Sequence, residues 1–171
     1  MFTQSQIVVD PVVAQEVIRL FQELDHGRGG ALGTWHGARM RDNPYEWFQP
    51  TFDRVATAAA PLRIDQWWFN CGEPGDEYRW HSHNPYTHSA VLYVQTPENS
   101  GGIEFRRHEE YQVFQPAAED FIQFAGSLAH RVLPNCSTDY RISVAFNFKA
   151  VNTRLNQFYS PYWPHTLLSC A

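Results

Sequence analysis

The order of apolar and polar positions divides the chain into a helical beginning and a long remainder of short apolar runs. Asp10-Pro11 is typical of a helix start, an N-cap residue followed by proline at the first helical position. Apolar residues then recur at helical spacing, which predicts a helix that ends before Gly27. The stretch 27–37 is predicted to be a loop, and a second helix is predicted from about Pro44 to Ala58.

From Pro61 onward, short apolar runs alternate with turn residues, a pattern typical of β-strands. The predicted strands are Arg63–Cys71, Tyr78–His83, Ser89–Gln95, Gly102–Arg106, Gln112–Phe114, Asp120–Phe124, Arg131–Leu133 and Arg141–Ala150. Many short strands between Gly and Pro turns favour a sandwich or barrel, with the two helices packed on its outside. We expect a single domain over 1–171, with a helical part at about 10–60, a β core at about 61–150 and an aromatic tail at 151–171.

Alternate positions of the last predicted strand differ in polarity and therefore point to opposite faces. One face carries Arg141, Ser143, Ala145, Asn147 and Lys149, and the other carries Ile142, Val144, Phe146 and Phe148. An ordinary half-buried strand has this pattern, with its polar face in water. A barrel whose outer face is covered by helices has it too, with a polar interior that holds a ligand. The strand alone leaves both interpretations open.

Composition excludes several classes of protein. The net charge of −5 gives no bulk attraction for nucleic acid or acidic membranes, so we expect neither partner. Cys71, Cys136 and Cys170 are an odd and widely spaced set, which favours neither a disulfide framework nor a zinc ribbon. No secretory signal is visible, and no apolar run approaches the roughly 18 residues of a membrane span. We therefore expect a cytoplasmic protein.

The histidines suggest a metal site. His81-Ser82-His83 would place both imidazoles on one face if the segment is a strand. Imidazole suits iron, zinc, copper and nickel, and His130 is the best candidate for a third ligand. An isolated pair of this kind is often a coincidence, and His88 could contact the site, the substrate or neither.

A second feature supports a ligand in the barrel. Arg141 and Ser143 share a strand face, where a guanidinium and a hydroxyl together make a clamp for a carboxylate. A cation on an inward face is costly without an anion, which a bound dicarboxylate would supply. A structural pair between Arg141 and an Asp or Glu is the alternative.

An ordered set of motifs carries a family resemblance. They are Arg79-Trp80-His81-Ser82-His83, Val91-Leu92-Tyr93-Val94, Gly101-Gly102-Ile103-Glu104-Phe105, Pro116 to Phe124, His130-Arg131-Val132-Leu133-Pro134 and Arg141-Ile142-Ser143. From Pro74 to Asn147 the chain resembles the 2-oxoglutarate/iron(II)-dependent oxygenases, close to their prolyl-4-hydroxylase-like branch. The resemblance implies a double-stranded β-helix, or jelly roll.

The resemblance also implies a site and a reaction. His81 and His130 would be Fe(II) ligands, and Arg141 would grip the distal carboxylate of 2-oxoglutarate with help from Ser143 and Tyr93. The enzyme would use O₂ to hydroxylate or otherwise oxidise a small molecule or an amino-acid or peptidyl substrate, with decarboxylation of 2-oxoglutarate to succinate. His83 stands where the family has a carboxylate, so the metal complex would be one charge more positive.

Two other hypotheses for the function remain. A cupin with a three-histidine centre needs no 2-oxoglutarate, and Gly75 followed by five residues and His81 fits the opening of its first motif. The remainder of that pattern fails, because Thr87 and His88 stand where a Glu is expected, and Arg141 has no role in it. A non-catalytic jelly-roll binding domain is the third reading, although it has little need for both His130 and Arg141.

Three residues are candidates for contact with the substrate because they lie near the predicted ligands: Arg79, Trp80 and His88. Several aromatic residues cluster near the predicted ligands and could form a substrate pocket, although core packing is the expected use for at least half of them: Trp67, Trp68, Phe69, Trp80 and Tyr86. The aromatic tail would cover the barrel as a lid or form a homodimer contact.

Overall fold

The computed structural model of the protein describes residues 1–24, 35–36 and 38–151. Two α-helices occur in this part of the chain, α1 over Val12–Leu24 and α2 over Gln49–Ala59, and a 3-10 turn at Glu46–Phe48 leads into α2. The strands are β1 Phe2–Gln6, β2 Trp35–His36, β3 Leu62–Gly72, β4 Tyr78–His81, β5 His88–Gln95, β6 Ile103–Arg107, β7 Glu110–Phe114, β8 Asp120–Ala125, β9 Ala129–Val132 and β10 Arg141–Ala150.

The strands form two antiparallel sheets. The larger sheet has the order β1-β8-β5-β10-β3-β2, and the smaller one has the order β4-β9-β6-β7. Neighbours in each sheet are mostly distant in sequence, as in a jelly roll, where the chain passes repeatedly between the two sheets. The predicted mainly β fold with helices outside a double-stranded β-helix is confirmed.

The helices cover the outer face of the larger sheet. Apolar residues from α1, α2, β3 and β10 form one buried cluster there, which includes Val13, Val17, Val55, Trp67, Phe69, Ile142, Val144, Phe146 and Phe148. Stacked rings tighten it, with 5.0 Å between the ring centroids of Phe48 and Trp67. The apolar face of β10 therefore points at the helices, and its polar face lines the interior of the barrel.

A second, smaller cluster fills the space between the two sheets. Its buried members are Tyr93, Ile103, Phe105, Ile122 and Phe124. Phe2 of β1 adds to it, with its ring centroid 5.0 Å from that of Phe105 and 5.2 Å from that of Phe114. This cluster joins the sheets on one side and leaves the polar cavity on the other.

Several element bounds differ from the predictions. Strands β1 and β2 were not predicted, and β2 falls within the stretch expected to be a loop. The second helix begins as a 3-10 turn, and β4 ends at His81, so His83 lies in the following loop. The remainder of the predicted loop and the aromatic tail after Val151 lie outside the described residues.

No helix in the described residues is long and apolar enough to cross a membrane.

Candidate active site

Three histidines converge in the interior of the barrel. The ring nitrogens available from His81, His83 and His130 all lie within 4.8 Å of one another. The ring centroids of His81 and His130 are 4.1 Å apart, and that of His83 is 5.0 Å from His81 and 5.1 Å from His130. Small rotations would bring the three nitrogens to about 2.1 Å from a common ion, so the cluster has the dimensions of a metal site.

The backbone fixes how His81 and His130 present their nitrogens. In each residue Nδ1–H donates to the carbonyl oxygen two residues earlier, to Arg79 O at 2.8 Å and to Leu128 O at 2.9 Å. A carbonyl can only accept, so Nδ1 carries the proton in both rings and Nε2 keeps a free lone pair. Metal-binding histidines have this arrangement, in which a second hydrogen bond sets the tautomer and orients the ring.

His83 reaches the cluster by a different route. It lies beyond the end of β4, where its backbone N–H donates to Gly126 O at 2.7 Å. Gly126 belongs to the turn between β8 and β9, and it packs so closely that an added Cβ would lie 2.2 Å from Tyr86 O. The predicted convergence of His81 and His83 is correct, but the prediction that both lie on one strand is wrong. The loop places His83, not the two-residue period of a strand.

Burial favours the neutral form of His81 and of His130. Desolvation, with a smaller contribution from the charge of His81, lowers the pKa of His130 to about 3. Desolvation also lowers the pKa of His81, and the positive charges of Arg39 and Arg79 lower it further. A neutral imidazole is the form that binds a metal ion, so at neutral pH these two rings need not lose a proton to become ligands.

The three histidines line a small cavity of about 60 Å³ between the two sheets. The other lining residues come mainly from β3, β5 and β10, and they are Trp68, Asn70, Tyr78, Val91, Tyr93, Ile103, Val132, Arg141, Ser143 and Ala145. Every residue proposed from the sequence for the metal and for the cosubstrate lines this one cavity. A larger open groove of about 1000 Å³ beside the β6–β7 turn contains none of them.

Arg141 is a buried cation, with only 4% of the residue exposed. Its guanidinium donates to the backbone carbonyls of Ser100, Leu133 and Asp76, with a distance of 2.8 Å to Leu133 O. Among the described residues no carboxylate oxygen lies within ion-pair distance of it. The structural arginine–carboxylate pair considered from the sequence is therefore not found there. The carbonyls orient the guanidinium without neutralising it, and the Asp76 carboxylate acts on it only beyond ion-pair distance, so the cation has no direct carboxylate partner in the described residues.

Two hydroxyl groups lie on the same face as Arg141. Ser143 and Tyr93 are partners in the register between β10 and β5, and Ser143 Oγ also accepts a hydrogen bond from Asn70 Nδ2 at 3.2 Å. Burial raises the pKa of Tyr93 well above its ordinary value, which keeps its hydroxyl protonated. Burial lowers the pKa of Arg141, but a guanidinium stays charged at any ordinary pH. A cation and hydroxyl donors together suit a carboxylate.

The residues suggested for substrate contact do not line the cavity. Trp80 lies on the outer face of the smaller sheet between two guanidiniums, 5.0 Å from Arg106 and 5.1 Å from Arg131. Arg79 is exposed, and it contributes its carbonyl to the orientation of His81. His88 is half-buried at the start of β5, and its Nδ1 has no hydrogen-bond partner among the described residues.

Two residues near the site were not assigned from the sequence: Trp68 was expected either in a substrate pocket or in the core, and Arg39 was not considered. Trp68 lines the cavity, and its ring centroid is 5.7 Å from that of His83, whereas the adjacent Trp67 and Phe69 belong to the core under the helices. Arg39 places its guanidinium 5.0 Å from the ring centroid of Trp68. Alternation along β3 could have separated Trp68 from its neighbours, but no local signal indicated Arg39.

Comparison with known proteins supports the fold. No protein-family model matches the sequence, and no curated protein matches it either. Solved structures do match. A prolyl-4-hydroxylase from Pseudomonas putida is 18% identical with a TM-score of 0.64, over 88% of this chain and 93% of the other.

Two further structures show the range of similar proteins. A prolyl hydroxylase from Trichoplax adhaerens, in complex with a hypoxia inducible factor peptide fragment, is 13% identical with a TM-score of 0.64, over 93% of this chain and 87% of the other. HygX from Streptomyces hygroscopicus, with nickel and 2-oxoglutarate bound, is 13% identical with a TM-score of 0.63, over 88% of this chain and 83% of the other. The chain thus has the double-stranded β-helix fold of the 2-oxoglutarate/iron(II) oxygenases, which confirms the motif resemblance at the level of the fold.

Proposed function

We propose that the protein is a 2-oxoglutarate- and Fe(II)-dependent dioxygenase of the hydroxylase type. The observation that carries this proposal is that one cavity contains both a cluster of three histidines and a buried arginine with no carboxylate partner among the described residues. The histidines fit a divalent metal, and the arginine fits an anion. The similar fold of solved oxygenases supports the combination, since fold alone would not define an activity.

In this proposal His81, His83 and His130 hold the metal through neutral imidazole nitrogens. Two of the three rings are already oriented by backbone carbonyls, so binding requires little rearrangement. Iron(II) with 2-oxoglutarate supplies, when both are bound, the O₂-dependent oxidising chemistry in which the cosubstrate leaves as succinate and carbon dioxide. Three neutral ligands leave the metal more positive than a carboxylate-containing set would, which favours binding of an anionic cosubstrate.

Arg141, Ser143 and Tyr93 are proposed to hold the distal carboxylate of 2-oxoglutarate. The three carbonyls around Arg141 do not use all the N–H donors of its guanidinium, so some of these donors remain for a ligand. The protonated Tyr93 hydroxyl and Ser143 Oγ can donate to the same carboxylate. The carbonyls meanwhile hold the guanidinium in one orientation, which reduces the conformational entropy lost on binding.

The experiment is direct. The protein is purified under argon, loaded with Fe(II) and 2-oxoglutarate, and exposed to air while succinate is measured. We expect succinate above the level of the metal-free protein, even without the primary substrate, and its loss in His81→Ala. Absence of succinate from the iron-loaded wild type, together with absence of 2-oxoglutarate binding, would contradict the proposal.

A three-histidine dioxygenase that does not use 2-oxoglutarate is the second candidate. The observation in its favour is that the histidine cluster of the described residues includes no carboxylate. That enzyme would bind iron but would be indifferent to Arg141→Gln. A non-catalytic binding domain is the third hypothesis. It would produce no oxidised product from Fe(II) and O₂, with or without 2-oxoglutarate.

A further inference from the structure

We propose that Arg39 binds an oxyanion of the primary substrate, a carboxylate or a phosphate, at the mouth of the cavity. This inference rests on the proposed function, because it assigns a chemical class to the substrate of that same site. The arginine was not suggested by the sequence, and it lies apart from the proposed cosubstrate site at Arg141.

The position of Arg39 follows from the backbone. Met40 and Trp67 exchange two backbone hydrogen bonds of 2.9 Å as an isolated antiparallel bridge. Residues adjacent to such a bridge lie side by side, so Arg39 is held beside Trp68. Met40 and Trp67 face the helices, and Arg39 and Trp68 therefore face the interior side.

Trp68 lies between Arg39 and the cluster of three histidines. The Arg39 guanidinium lies 5.0 Å from the ring centroid of Trp68, and that ring lies 5.7 Å from His83. Trp68 is 4% exposed and lines the cavity, whereas Arg39 is exposed. Stacking on the indole restricts the arginine and leaves its N–H edge for a ligand, the geometry in which guanidinium recognises carboxylate or phosphate.

Arg39 lies beside a part of the larger sheet that is separated along β10 from Arg141. Trp68 is the register partner of Ala145 on β10, four residues beyond Arg141. Four residues of an extended strand place the backbone positions of Arg141 and Ala145 about 13 Å apart. If Arg141 holds the cosubstrate, Arg39 beside Trp68 is available for a different molecule.

The charge at Arg39 is not balanced locally. Among the described residues no Asp or Glu pairs with Arg39 or with Arg79, and both positive charges act electrostatically on His81. The protein has a net charge of −5, so two arginines near the three histidines with no ion pair in the described part of the chain are a local reversal of its overall charge. Such a reversal attracts an anion and guides it to the cavity.

The test uses the full chain loaded with Zn(II), which cannot turn over, in the presence and absence of saturating 2-oxoglutarate. The probes are matched pairs: N-acetylated amino acids against their carboxamides, glycerol phosphate against glycerol, and an acidic blocked peptide against its amide counterpart. Binding is measured by calorimetry and ligand-detected NMR for wild type, Arg39→Gln and Arg107→Gln. Arg107 is an exposed arginine of β6 that does not line the cavity, so its variant matches the change in charge.

We expect at least one anionic probe to bind wild type about tenfold or more tightly than its neutral counterpart. Arg39→Gln should abolish that preference, and Arg107→Gln should keep it. Equal binding of anionic and neutral members in every arm would overturn the inference, as would equal losses in the two variants. Failure of the proposed function gives a different result, no binding of 2-oxoglutarate to wild type, and the titrations without 2-oxoglutarate then test Arg39 separately.

Discussion

His81 on β4 lies directly opposite His130 on β9, with 4.1 Å between the centroids of the two rings. Each ring donates from Nδ1 to a carbonyl two residues earlier in its own chain segment. The same hydrogen bond therefore occurs on two adjacent strands. It leaves Nε2 of both rings unprotonated and able to bind one metal ion. The third imidazole, from His83, is brought there by a loop.

Loss of either paired histidine should remove most of the metal affinity. We expect His81→Ala and His130→Gln to weaken Zn(II) and Fe(II) binding by more than the roughly 10–100-fold loss seen when an outer hydrogen-bond partner is removed. The measurement is a competition titration against a chromophoric chelator. His108→Asn is the control, since His108 lies outside the cluster and Asn tolerates its φ of 56°. Equal metal retention in all variants would rule out the histidine site.

His83→Asp tests whether the third histidine is a ligand. An aspartate at this position should keep the metal bound, because a carboxylate is also a good ligand for iron, but one nitrogen would be replaced by oxygen. We expect the visible spectrum of the Co(II)-loaded protein to change and that of His88→Asn to stay the same. A His83→Asp spectrum that matches wild type would mean that His83 does not bind the metal.

Gly126 should matter for metal binding although it carries no ligand. An alanine there would place its Cβ 2.2 Å from Tyr86 O, so the loop that begins at His83 would have to move. We expect Gly126→Ala to weaken metal binding by roughly tenfold.

Gly102→Ala is the control for Gly126→Ala, because its Cβ would meet Phe114 O at a similar 2.3 Å but away from the histidines. Both variants should unfold at lower temperature. If Gly102→Ala lowers metal affinity as much as Gly126→Ala does, general destabilisation explains the loss and the specific role of Gly126 is refuted.

Cys71 should be inert in the folded protein. Burial raises the pKa of its thiol to about 12, so only a trace of the reactive thiolate exists at pH 8. In a variant with Cys136→Ser and Cys170→Ser, we expect a thiol reagent to label Cys71 in denaturant and not in native buffer. Rapid native labelling would show that the core between β3 and the helices opens more readily than the packing indicates.

The parts of the fold that were readable from sequence are those with a strong local pattern. The bounds of β10 were predicted to the residue, because its alternation runs over its whole length. Strand β1 was missed because Phe2–Gln6 is an edge strand with mostly exposed polar side chains, which follow no apolar alternation. Which face of β10 points inward depended on where the helices pack, and that is decided by the tertiary structure.

The candidate site also contains some residues that the local sequence predicts and others that only long-range contacts place. His81, His130 and Arg141 were predictable because each lies on a strand with recognisable neighbours. The position of His83 depends on a hydrogen bond to a turn more than 40 residues later, as the bond from His83 N to Gly126 O shows. Arg39 lies beside Trp68 only through the Met40–Trp67 bridge, a long-range pairing that no spacing in the sequence reveals.

An anaerobic titration shows whether a metal and 2-oxoglutarate share the cavity. Wild type, Arg141→Lys and Arg141→Gln are loaded with Fe(II) under argon, checked for folding by thermal melting, and titrated with 2-oxoglutarate while the visible charge-transfer band is recorded. Arg141→Lys keeps the charge without the planar fork, so it should be intermediate.

We predict a saturable band in wild type and affinity at least about tenfold weaker in Arg141→Gln, with Fe(II) still bound. No band and no calorimetric binding in wild type, or equal affinity in wild type and Arg141→Gln, would contradict the account.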